Sequence, residues 1–388
     1  MEKIFNNTEV AFALKNNSEL NRAHFLFKMI GNPTLVKMGT SLTNFALNLH
    51  LPVEGIIRST VFDHFCGGVS EEDCLKVVDK MYTKRVSSVL DYSVEGKEEE
   101  AQFDAALEMT LKTIEFAKAK EAIPFAVFKP TGVGRIGLYE RIGENKSLTD
   151  NEKAEWDRVV NRFEVICKTA FDKDVMILID AEESWMQDAA DDLVAEMMRK
   201  YNKEKALIFN TLQMYRWDRL DYLKKLHEQA KTDGFHIGMK VVRGAYMEKE
   251  AKRADEKGYK NPICPTKQAT DDNYDACINY MMQHIDKMAI FAGTHNELSS
   301  YKLMELMAQK GISKNDNRIW FGQLYGMSDN ISYNLAENGY NVAKYLPFGP
   351  VRDVMPYLIR RAQENTSVAG QTGRELMLLE TEKKRRKL

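Results

Sequence analysis

The chain has 388 residues, of which 44% are hydrophobic and 29% are charged, and its formal net charge is −2. This balance is typical of a globular protein with one large domain and additions, or with two domains, and it gives no support to a general nucleic-acid binder. The five cysteines form no C-x-x-C pair, so neither a disulfide framework nor a zinc site is indicated, and we expect no metal.

The first 84 residues have the periodicity of helices. One amphipathic helix is predicted at 19–30 and a second at 34–49, and Ser70 with three acidic residues after it predicts the N-cap of a third helix that ends at Thr83. We predict a helical lead-in without chemistry of its own. Because acidic residues come early and no hydrophobic signal segment is present, we predict neither a signal nor a transit peptide, and we expect a cytoplasmic location.

From residue 86 onward, short apolar or β-branched runs alternate with segments of helical period. The predicted strands are 86–91, 125–129, 175–180, 207–213, 237–242, 288–294, 319–323 and 342–346. The predicted helices between them include 101–119, 150–171, 189–201, 218–231, 271–286 and 299–309. Eight such units predict an α/β fold, a (β/α)8 barrel of the TIM type over residues 85–368, between the helical segment 1–84 and a basic helix or tail at 369–388. A doubly wound sheet is the alternative, although it has no need of eight units.

Polar residues gather at the ends of all the predicted strands. They are Asp91, Lys129, Asp180, Gln213, Lys240 with Arg243, Thr294-His295-Asn296, Gln323 and Tyr345. Any one of them alone is more typical of a structural cap. Because barrel enzymes act at the carboxyl ends of their strands, the set together predicts an active site there. A Schiff base on Lys129 or Lys240, as in a barrel lyase, is a weaker alternative.

Residues 132–137 read G-V-G-R-I-G and match the G-x-G-x-x-G pattern of dinucleotide-binding loops. That motif should open a helix at once, whereas the residues after it run into Gly143 and a polar break at 144–150. We therefore predict a loop between a strand and a helix. The histidines have no paired spacing typical of metal ligands.

The last predicted strand is followed by a Gly349-Pro350 turn and a helix. On this helix Tyr357, Arg360, Arg361 and Glu364 fall at i, i+3, i+4 and i+7, which is a single face. Two guanidiniums beside a phenol suit a carboxylate or a phosphate, and a solvated charged face is the alternative.

Five basic residues lie near the end of the chain, at 383–387. They favour the C-terminus of a helix, where positive charge is stabilising. The second interpretation is peripheral binding to an anionic membrane surface, at the inner face of the membrane.

Several motifs in this order resemble those of the proline dehydrogenase family over roughly residues 55–380. They are I-D-A-E-E at 179–183, K-V-V-R-G-A-Y at 240–246, T-H-N at 294–296, G-Q-L-Y-G-M at 322–327 and Y-L-I-R-R-A-Q-E-N at 357–365. The monofunctional mitochondrial type shares a further block, G-Y-x-x-P-I-x-P-T, found here at 258–266. It also shares Lys240, where many bifunctional bacterial members have arginine.

The resemblance implies a distorted (β/α)8 barrel that holds FAD without a covalent link, oxidises L-proline to Δ1-pyrroline-5-carboxylate and passes the electrons to a membrane quinone. It implies that Arg360, Arg361 and Lys129 hold the proline carboxylate, that Tyr246, Tyr345 and Tyr357 wall the ring, and that Asp180 steadies the arginines. The residues implied to lie against the isoalloxazine are Gln213, Lys240, Val242, Gly244 and Ala245. Those implied to reach the rest of FAD are Lys267, Thr270, Thr294, His295, Asn296, Gln323, Arg361 and Glu364.

Two further expectations come from the same resemblance. The chain shows no aldehyde dehydrogenase-like domain, which implies that a separate pyrroline-5-carboxylate dehydrogenase consumes the product. The close alternative is hydroxyproline dehydrogenase, a branch in which serine tends to replace the tyrosine that matches Tyr345. The tyrosine at this position therefore favours proline as the substrate.

Overall fold

The computed structural model describes residues 3–32, 34–39, 54–93, 98–367 and 371–388. Eight parallel strands close into a barrel in the order β1 to β8. The strands are β1 (Val86–Tyr92), β2 (Phe125–Phe128), β3 (Met176–Ile179), β4 (Ile208–Gln213), β5 (Ile237–Val242), β6 (Met288–Gly293), β7 (Ile319–Leu324) and β8 (Val342–Phe348). The predicted (β/α)8 barrel is confirmed, and each strand begins and ends within two residues of its predicted bounds.

The strands form where apolar and β-branched residues cluster, and helices cover the sheet, so the strands are buried on both faces. β4 and β8 are buried along their whole length. Inside the barrel the Phe125 ring meets Phe209, Phe291 and Trp320 edge-on, with ring centroids 5.2–5.7 Å apart. Gly322 leaves the space for one of these rings, because a Cβ there would lie 2.1 Å from Phe291.

The α-helices surround the sheet, and further helices come before the first strand and after the last one. They are α1 (Thr8–Ala11), α2 (Asn17–Ile30), α3 (Glu54–Ile57), α4 (Asp63–Phe65), α5 (Glu71–Tyr82), α6 (Glu100–Ala119), α7 (Ile136–Gly143), α8 (Asp150–Asp172), α9 (Ser184–Tyr201), α10 (Arg219–Asp233), α11 (Met247–Lys257), α12 (Lys267–Gln283), α13 (Glu297–Gln309), α14 (Asp329–Glu337), α15 (Val351–Ser367) and α16 (Gln371–Arg385). Residues 34–39 are helical as well.

Two of the three helices predicted before the barrel are confirmed as α2 and α5. Asn16 and Glu19 form a reciprocal capping box at the start of α2, and the Ser70 hydroxyl accepts a hydrogen bond from the backbone of Asp73 at the start of α5. The helix predicted at 34–49 is helical as far as residue 39. Its remainder lies outside the described residues.

The prediction of a loop at the G-x-G-x-x-G motif was wrong, because α7 begins inside the motif at Ile136. Leu138 and Tyr139 are fully buried, and the Tyr139 hydroxyl donates to the carbonyl of Pro130 at 2.9 Å. This burial outweighs the low helix propensity of Gly137 and Gly143. The chain nevertheless forms a barrel rather than the doubly wound sheet in which such motifs bind dinucleotides. α11 and α14 were not predicted either.

The chain divides into two compact units. The terminal unit comprises residues 1–94 and 323–388, and the central unit comprises residues 95–322. In the terminal unit, α1 and α2 pack against α16 through a shared apolar core that contains Phe12, Leu20, Phe27, Leu378 and Leu379. The N-terminal helices therefore share a hydrophobic core with α16, the last described helix of the chain.

The end of α16 is fixed by ion pairs. Glu382 is fully buried and accepts hydrogen bonds from Arg385 at 2.8 Å and Arg386 at 2.7 Å. Arg386 also donates to the carbonyls of Phe12 and Lys15, at 2.9 and 2.7 Å. Two of the basic residues predicted at 383–387 thus stabilise the packing of a helix end. Within the described ranges, no helix combines the length and the apolar character needed to cross a bilayer.

Candidate active site

Three charged side chains meet at the carboxyl ends of the strands in the central unit. Lys129 follows β2, Asp180 follows β3 and Lys240 lies in β5. The Asp180 carboxylate accepts a hydrogen bond from the Lys240 ammonium, and its other oxygen lies 3.6 Å from Lys129 Nζ. The side chains of Lys129, Asp180 and Lys240 are 11%, 15% and 7% exposed. One carboxylate between two ammoniums leaves a net positive charge, which suits an anionic or electron-rich ligand.

Gln213, at the end of β4, offers a buried hydrogen-bond acceptor. The residue is 3% exposed, and its Nε2 donates to the carbonyl of Ala181 at 3.0 Å. Its Oε1 is buried and has no hydrogen-bond partner among the described residues. A buried acceptor left without a donor costs about 1–3 kcal/mol. The geometry therefore favours a bound group that donates a hydrogen bond to Gln213.

The loop after β5 is shaped by a glycine. Gly244 has a φ of +129°, and a Cβ there would lie 2.5 Å from the ring of Tyr215. Only glycine fits this position without displacing Tyr215, since it lacks the side chain that would clash and tolerates positive φ. Val242, Gly244 and Ala245 are partly buried, and Tyr246 is buried at the start of α11. The glycine thus lets the loop backbone pack directly on the buried Tyr215 ring.

Arg243 joins this loop to the next strand ends of the central unit. Its guanidinium donates to Asp271 at 2.7 Å, to the Thr294 hydroxyl at 2.8 Å and to the Ser299 hydroxyl at 3.0 Å. It also stacks on Tyr274, with 4.5 Å from Cζ to the ring centroid. The sequence drew attention to Arg243 only as a neighbour of Lys240, and it gave no signal for Asp271. Their pairing depends on how α12 packs beside β5.

The remaining predicted cofactor residues of the central unit lie at helix starts and strand ends. Lys267 is the first residue of α12 and contacts Asp271 at 2.6 Å, and Thr270 is buried one turn later. Thr294 is buried and His295 is partly buried. Asn296 caps α13, because its side-chain oxygen accepts from the backbone N–H groups of residues 298 and 299 at 2.9 and 3.2 Å. Its oxygen is therefore committed to the helix.

The helix predicted after the Gly349-Pro350 turn is present in the terminal unit as α15. Tyr357 and Arg361 are buried on it and Arg360 is partly buried. The guanidinium of Arg361 lies 5.1 Å from the centroid of the Tyr357 ring, as expected for residues four apart on one face. Glu364 belongs to the same helix, and its side chain lies outside the described ones. This face is therefore not a fully solvated charged surface.

Gln323 and Tyr345 are also buried in the terminal unit, at 2% and 6% exposure. The Gln323 Oε1 accepts a hydrogen bond from the Ser332 hydroxyl at 2.8 Å, which fixes the orientation of the amide. The carbonyl of Tyr345 accepts from the backbone N–H of Tyr325 at 2.8 Å. Tyr345 is thus tied to the turn that follows β7, and Gln323 to α14, the helix after that turn.

Next to that turn is a charge cluster formed by the partly buried Lys15 and the buried Asp329, Lys344 and Glu375. The Asp329 carboxylate lies 2.8 Å from Lys344 Nζ and 3.0 Å from Lys15 Nζ. Burial alone would raise the pKa of Asp329, but the two ammoniums outweigh it and hold the pKa well below its usual range. Sequence reasoning missed this cluster. The available signal was a lysine inside the apolar strand V-A-K-Y-L-P-F, since buried lysines are rare unless paired.

Glu375 closes the cluster from α16. It is buried, and its carboxylate accepts from the backbone N–H of Ser328. Burial raises the pKa of Glu375 from 4.5 to about 7, and the charge of Asp329 adds to the rise, while Lys344 and Lys15 oppose it. The folded protein therefore binds a proton here at pH values where the unfolded chain has lost it.

The Glu375→Gln variant is expected to be more stable than the parent above pH 7. In the parent, stability from neutral Glu375 is fully present below pH 4.5 and is lost as the pH rises through about 7. The glutamine stays neutral and still accepts from Ser328, so the gain should reach about 3 kcal/mol at pH 8 and vanish near pH 4. Urea unfolding at both pH values measures it. Glu380→Gln, exposed on the same helix, is the control, and an equal gain at both pH values would contradict the assignment.

The chain is similar in sequence and in fold to known proteins. The profile described as proline dehydrogenase matches residues 74–374. The carbapenem antibiotics biosynthesis protein CarD of Pectobacterium carotovorum subsp. carotovorum is 37% identical, over 93% of this chain and 94% of that protein. Human mitochondrial proline dehydrogenase 1 is 42% identical, over 62% of this chain and 40% of its own length. Among solved structures, proline utilization A (PutA) from Bdellovibrio bacteriovorus, inactivated by N-propargylglycine, has a TM-score of 0.73 at 19% identity, and the match covers 98% of this chain and 41% of that one.

Proposed function

The chain belongs to the proline dehydrogenase family, whose profile matches well over half of it, and we propose that it oxidises L-proline to Δ1-pyrroline-5-carboxylate. The resemblance inferred from the motifs is thereby confirmed. Within the molecule, the observation that carries the proposal is the group formed by Asp180, Lys129 and Lys240, which lies at the strand ends where barrel enzymes act.

FAD, held without a covalent bond, is the cofactor of this proposal. The central unit fits it, because the unpartnered Oε1 of Gln213 matches the ring N–H of an isoalloxazine. The family resemblance places Gly244 and Ala245 against the same ring. Bound there, FAD would accept the hydride released by the substrate. The positive charge of Lys240 favours an electron-rich ring. The residues proposed for the other contacts with FAD are Val242, Lys267, Thr270, Thr294, His295, Asn296, Gln323, Arg361 and Glu364.

The proline carboxylate is held by arginines in this proposal. Arg360 and Arg361 carry permanent charge and planar pairs of donors, which match the two oxygens of a carboxylate. The resemblance assigns Lys129 to the same carboxylate. Fixing this group orients the ring carbon that loses the hydride, and such positioning contributes several kcal/mol to catalysis.

Three tyrosines wall the substrate ring in the same proposal. Tyr246, Tyr345 and Tyr357 are each buried, at 7%, 6% and 5% exposure. Aromatic walls exclude water and favour a small apolar ring. No protein nucleophile is required, because the residues only need to bind and orient the substrate.

The Tyr345→Ser variant is expected to use hydroxyproline better relative to proline. Loss of the phenol opens space for the ring hydroxyl and removes apolar contact with proline, so the ratio of kcat/KM values should shift toward hydroxyproline by about tenfold, or about 1.4 kcal/mol. Steady-state kinetics with both substrates measures the ratio. Tyr340→Ser, which removes another buried tyrosine of the terminal unit, is the control. An unchanged ratio in Tyr345→Ser would remove this residue from the ring pocket.

The geometry disfavours the alternative of a Schiff-base lyase. A lysine must be neutral to attack a carbonyl, whereas Lys129 and Lys240 both lie beside the Asp180 carboxylate, which favours the charged ammonium. Borohydride should therefore trap no covalent adduct between the protein and its substrate.

The partners follow from the same proposal. We take a quinone as the electron acceptor, reached by peripheral contact with a membrane, and a separate pyrroline-5-carboxylate dehydrogenase as the enzyme that consumes the product. The cytoplasmic location expected from the sequence stays a prediction.

A visible absorption spectrum before and after anaerobic addition of L-proline tests the function. Flavin bands near about 375 and 450 nm that bleach with proline are the expected result. Bands that stay unchanged would overturn proline as the substrate. A colourless protein that cannot be reconstituted with FAD would overturn the flavoenzyme.

A further inference from the structure

The turn that follows β7 is fixed by several buried polar contacts. This turn, residues 324–328, lies in the terminal unit and contains Gly326 at a φ of +77° and Ser328 at a φ of +49°. Its backbone is held by His64 as well as by the charge cluster: the carbonyl of Gly326 accepts from His64 Nε2 at 3.0 Å, and the N–H of Ser328 donates to Glu375 of the cluster. Burial lowers the pKa of His64 to about 3, so this histidine is neutral and donates one hydrogen bond here.

Lys344 makes the central contact with this turn. It is fully buried in β8, and its ammonium donates to the carbonyl of Met327 at 2.7 Å and to that of Leu324 at 3.4 Å. Asp329, the first residue of α14, binds the same ammonium at 2.8 Å. One side chain thereby connects the two ends of the turn to the helix that follows it.

The position of Lys344 in β8 relates the cluster to the proposed substrate pocket. Successive side chains of a strand point to opposite faces, so Lys344 faces α14 while Tyr345 faces the barrel interior. The backbone of Tyr345 is itself bonded to the turn through Tyr325. A shift of the turn therefore shifts the backbone that carries the Tyr345 ring.

The second partner of Asp329 comes from the N-terminal segment. Lys15 lies between α1 and α2, and its ammonium is 3.0 Å from the Asp329 carboxylate. Burial would lower the pKa of Lys15, but the charge of Asp329 outweighs it and raises the pKa. Because Lys15 stays in place, Asp329 keeps a cationic partner even when Lys344 is replaced. A substitution of Lys344 therefore does not leave the Asp329 carboxylate buried without a counter-charge.

We propose that Lys344 is a positioning residue for the reaction: anchored by Asp329, it holds the 324–328 turn and thereby sets the place of the Tyr345 ring in the substrate pocket. The inference rests on the proposed function, since it assigns Tyr345 to the wall around the proline ring. The inference gives the N-terminal segment a role as well, because Lys15 binds the same Asp329 carboxylate that holds Lys344. The function of this segment is then to support the pocket from outside the barrel.

The test replaces Lys344 by methionine, which keeps the length of the side chain and removes the ammonium. We expect Lys344→Met to bind flavin, to raise the KM for L-proline more than it lowers kcat, and to shift the kcat/KM ratio of proline to hydroxyproline by about fivefold or more. A residue that only stabilises the fold would change the amount of active enzyme and leave the ratio unchanged. Asp329→Asn, which weakens the anchor but keeps a hydrogen-bond acceptor, is expected to shift the ratio in the same direction by a smaller factor.

The control is Glu382→Gln, which removes another fully buried charge of the terminal unit and does not touch the turn. It should lower stability and leave the ratio unchanged. If Lys344→Met does not fold, Asp329→Asn decides, and a ratio equal to that of the parent in whichever variant folds overturns the proposal. Adding proline to the parent enzyme and following its flavin absorbance separates a failure of the proposed function from a failure of the inference about Lys344. If proline does not bleach the flavin, the proposed function is wrong. If it does, but the variants keep the parent's ratio of kcat/KM for proline to hydroxyproline, only the inference about Lys344 is wrong.

Discussion

Replacing Arg360 by alanine is expected to raise the KM for L-proline by about 100-fold, or about 3 kcal/mol, while the flavin stays bound. The reason is that a paired, charge-assisted contact with the substrate carboxylate is lost, and of the two arginines proposed to hold that carboxylate only Arg361 remains. Because the contact is made in the ground state as well as in the transition state, kcat should fall far less than kcat/KM. Steady-state kinetics with proline, together with the flavin absorbance of the purified variant, measures both effects.

The matched control is Arg352→Ala, which removes an exposed arginine from the first turn of the same helix. It loses the same charge and the same helix former, so a general effect of net charge or of helix stability would appear in both variants. If the KM for proline in Arg360→Ala stays within a factor of about two of the parent value, Arg360 has no part in carboxylate binding.

Replacing Asp180 by asparagine is expected to lower kcat/KM by about 100-fold or more and to destabilise the protein by about 3 kcal/mol. The carboxylate offsets part of the positive charge of Lys129 and Lys240, whose side chains are mostly buried. Asparagine keeps the shape but leaves two ammoniums close together without that charge, so they repel each other and leave their positions. Activity and chemical denaturation, measured on the same preparation, give the two numbers.

Asp191→Asn is the control for this prediction. Asp191 is more deeply buried than Asp180, also in the central unit, where it binds Arg219 at 2.7 Å, and it lies outside the proposed active site. Both variants should therefore lose stability, while only Asp180→Asn loses activity in the fraction that remains folded. Equal kinetic constants for both variants would show that Asp180 is a structural ion pair alone.

The barrel was predictable because its strands are buried on both faces and appear in the sequence as short runs rich in apolar and β-branched residues. β5 was predicted to the residue. β8 was predicted to end at Leu346, before a proline, yet its pairing with β1 continues to Tyr92 and Phe348. Proline is tolerated there because the missing N–H is lost near the end of the strand. α7 was missed because local propensity was weighed and the burial of Tyr139 was not visible.

The residues of the candidate site were predicted from motifs, but the contacts between them were not. The motifs predicted Asp180, Lys240 and Arg360 as site residues because family resemblance is carried by short segments, and these roles stay predictions. The contact between Asp180 and Lys240 joins residues 60 positions apart, and that between Arg243 and Asp271 joins residues 28 positions apart. Such contacts depend on which strands and helices become neighbours, which no local pattern records. The buried charge cluster was missed for the same reason.

The packing of α16 on α2 has a consequence for how the protein folds during synthesis. Arg386 bonds to the carbonyl of Phe12, 374 positions earlier in the chain, and the apolar face of α2 shares its core with Leu378 and Leu379. The first helices therefore leave the ribosome long before their partner, and their apolar surface must wait uncovered until the whole barrel has been translated. The terminal unit should accordingly be the last to acquire protection from proteases on a nascent chain, and a ribosome stalled before residue 371 should present α2 to chaperones.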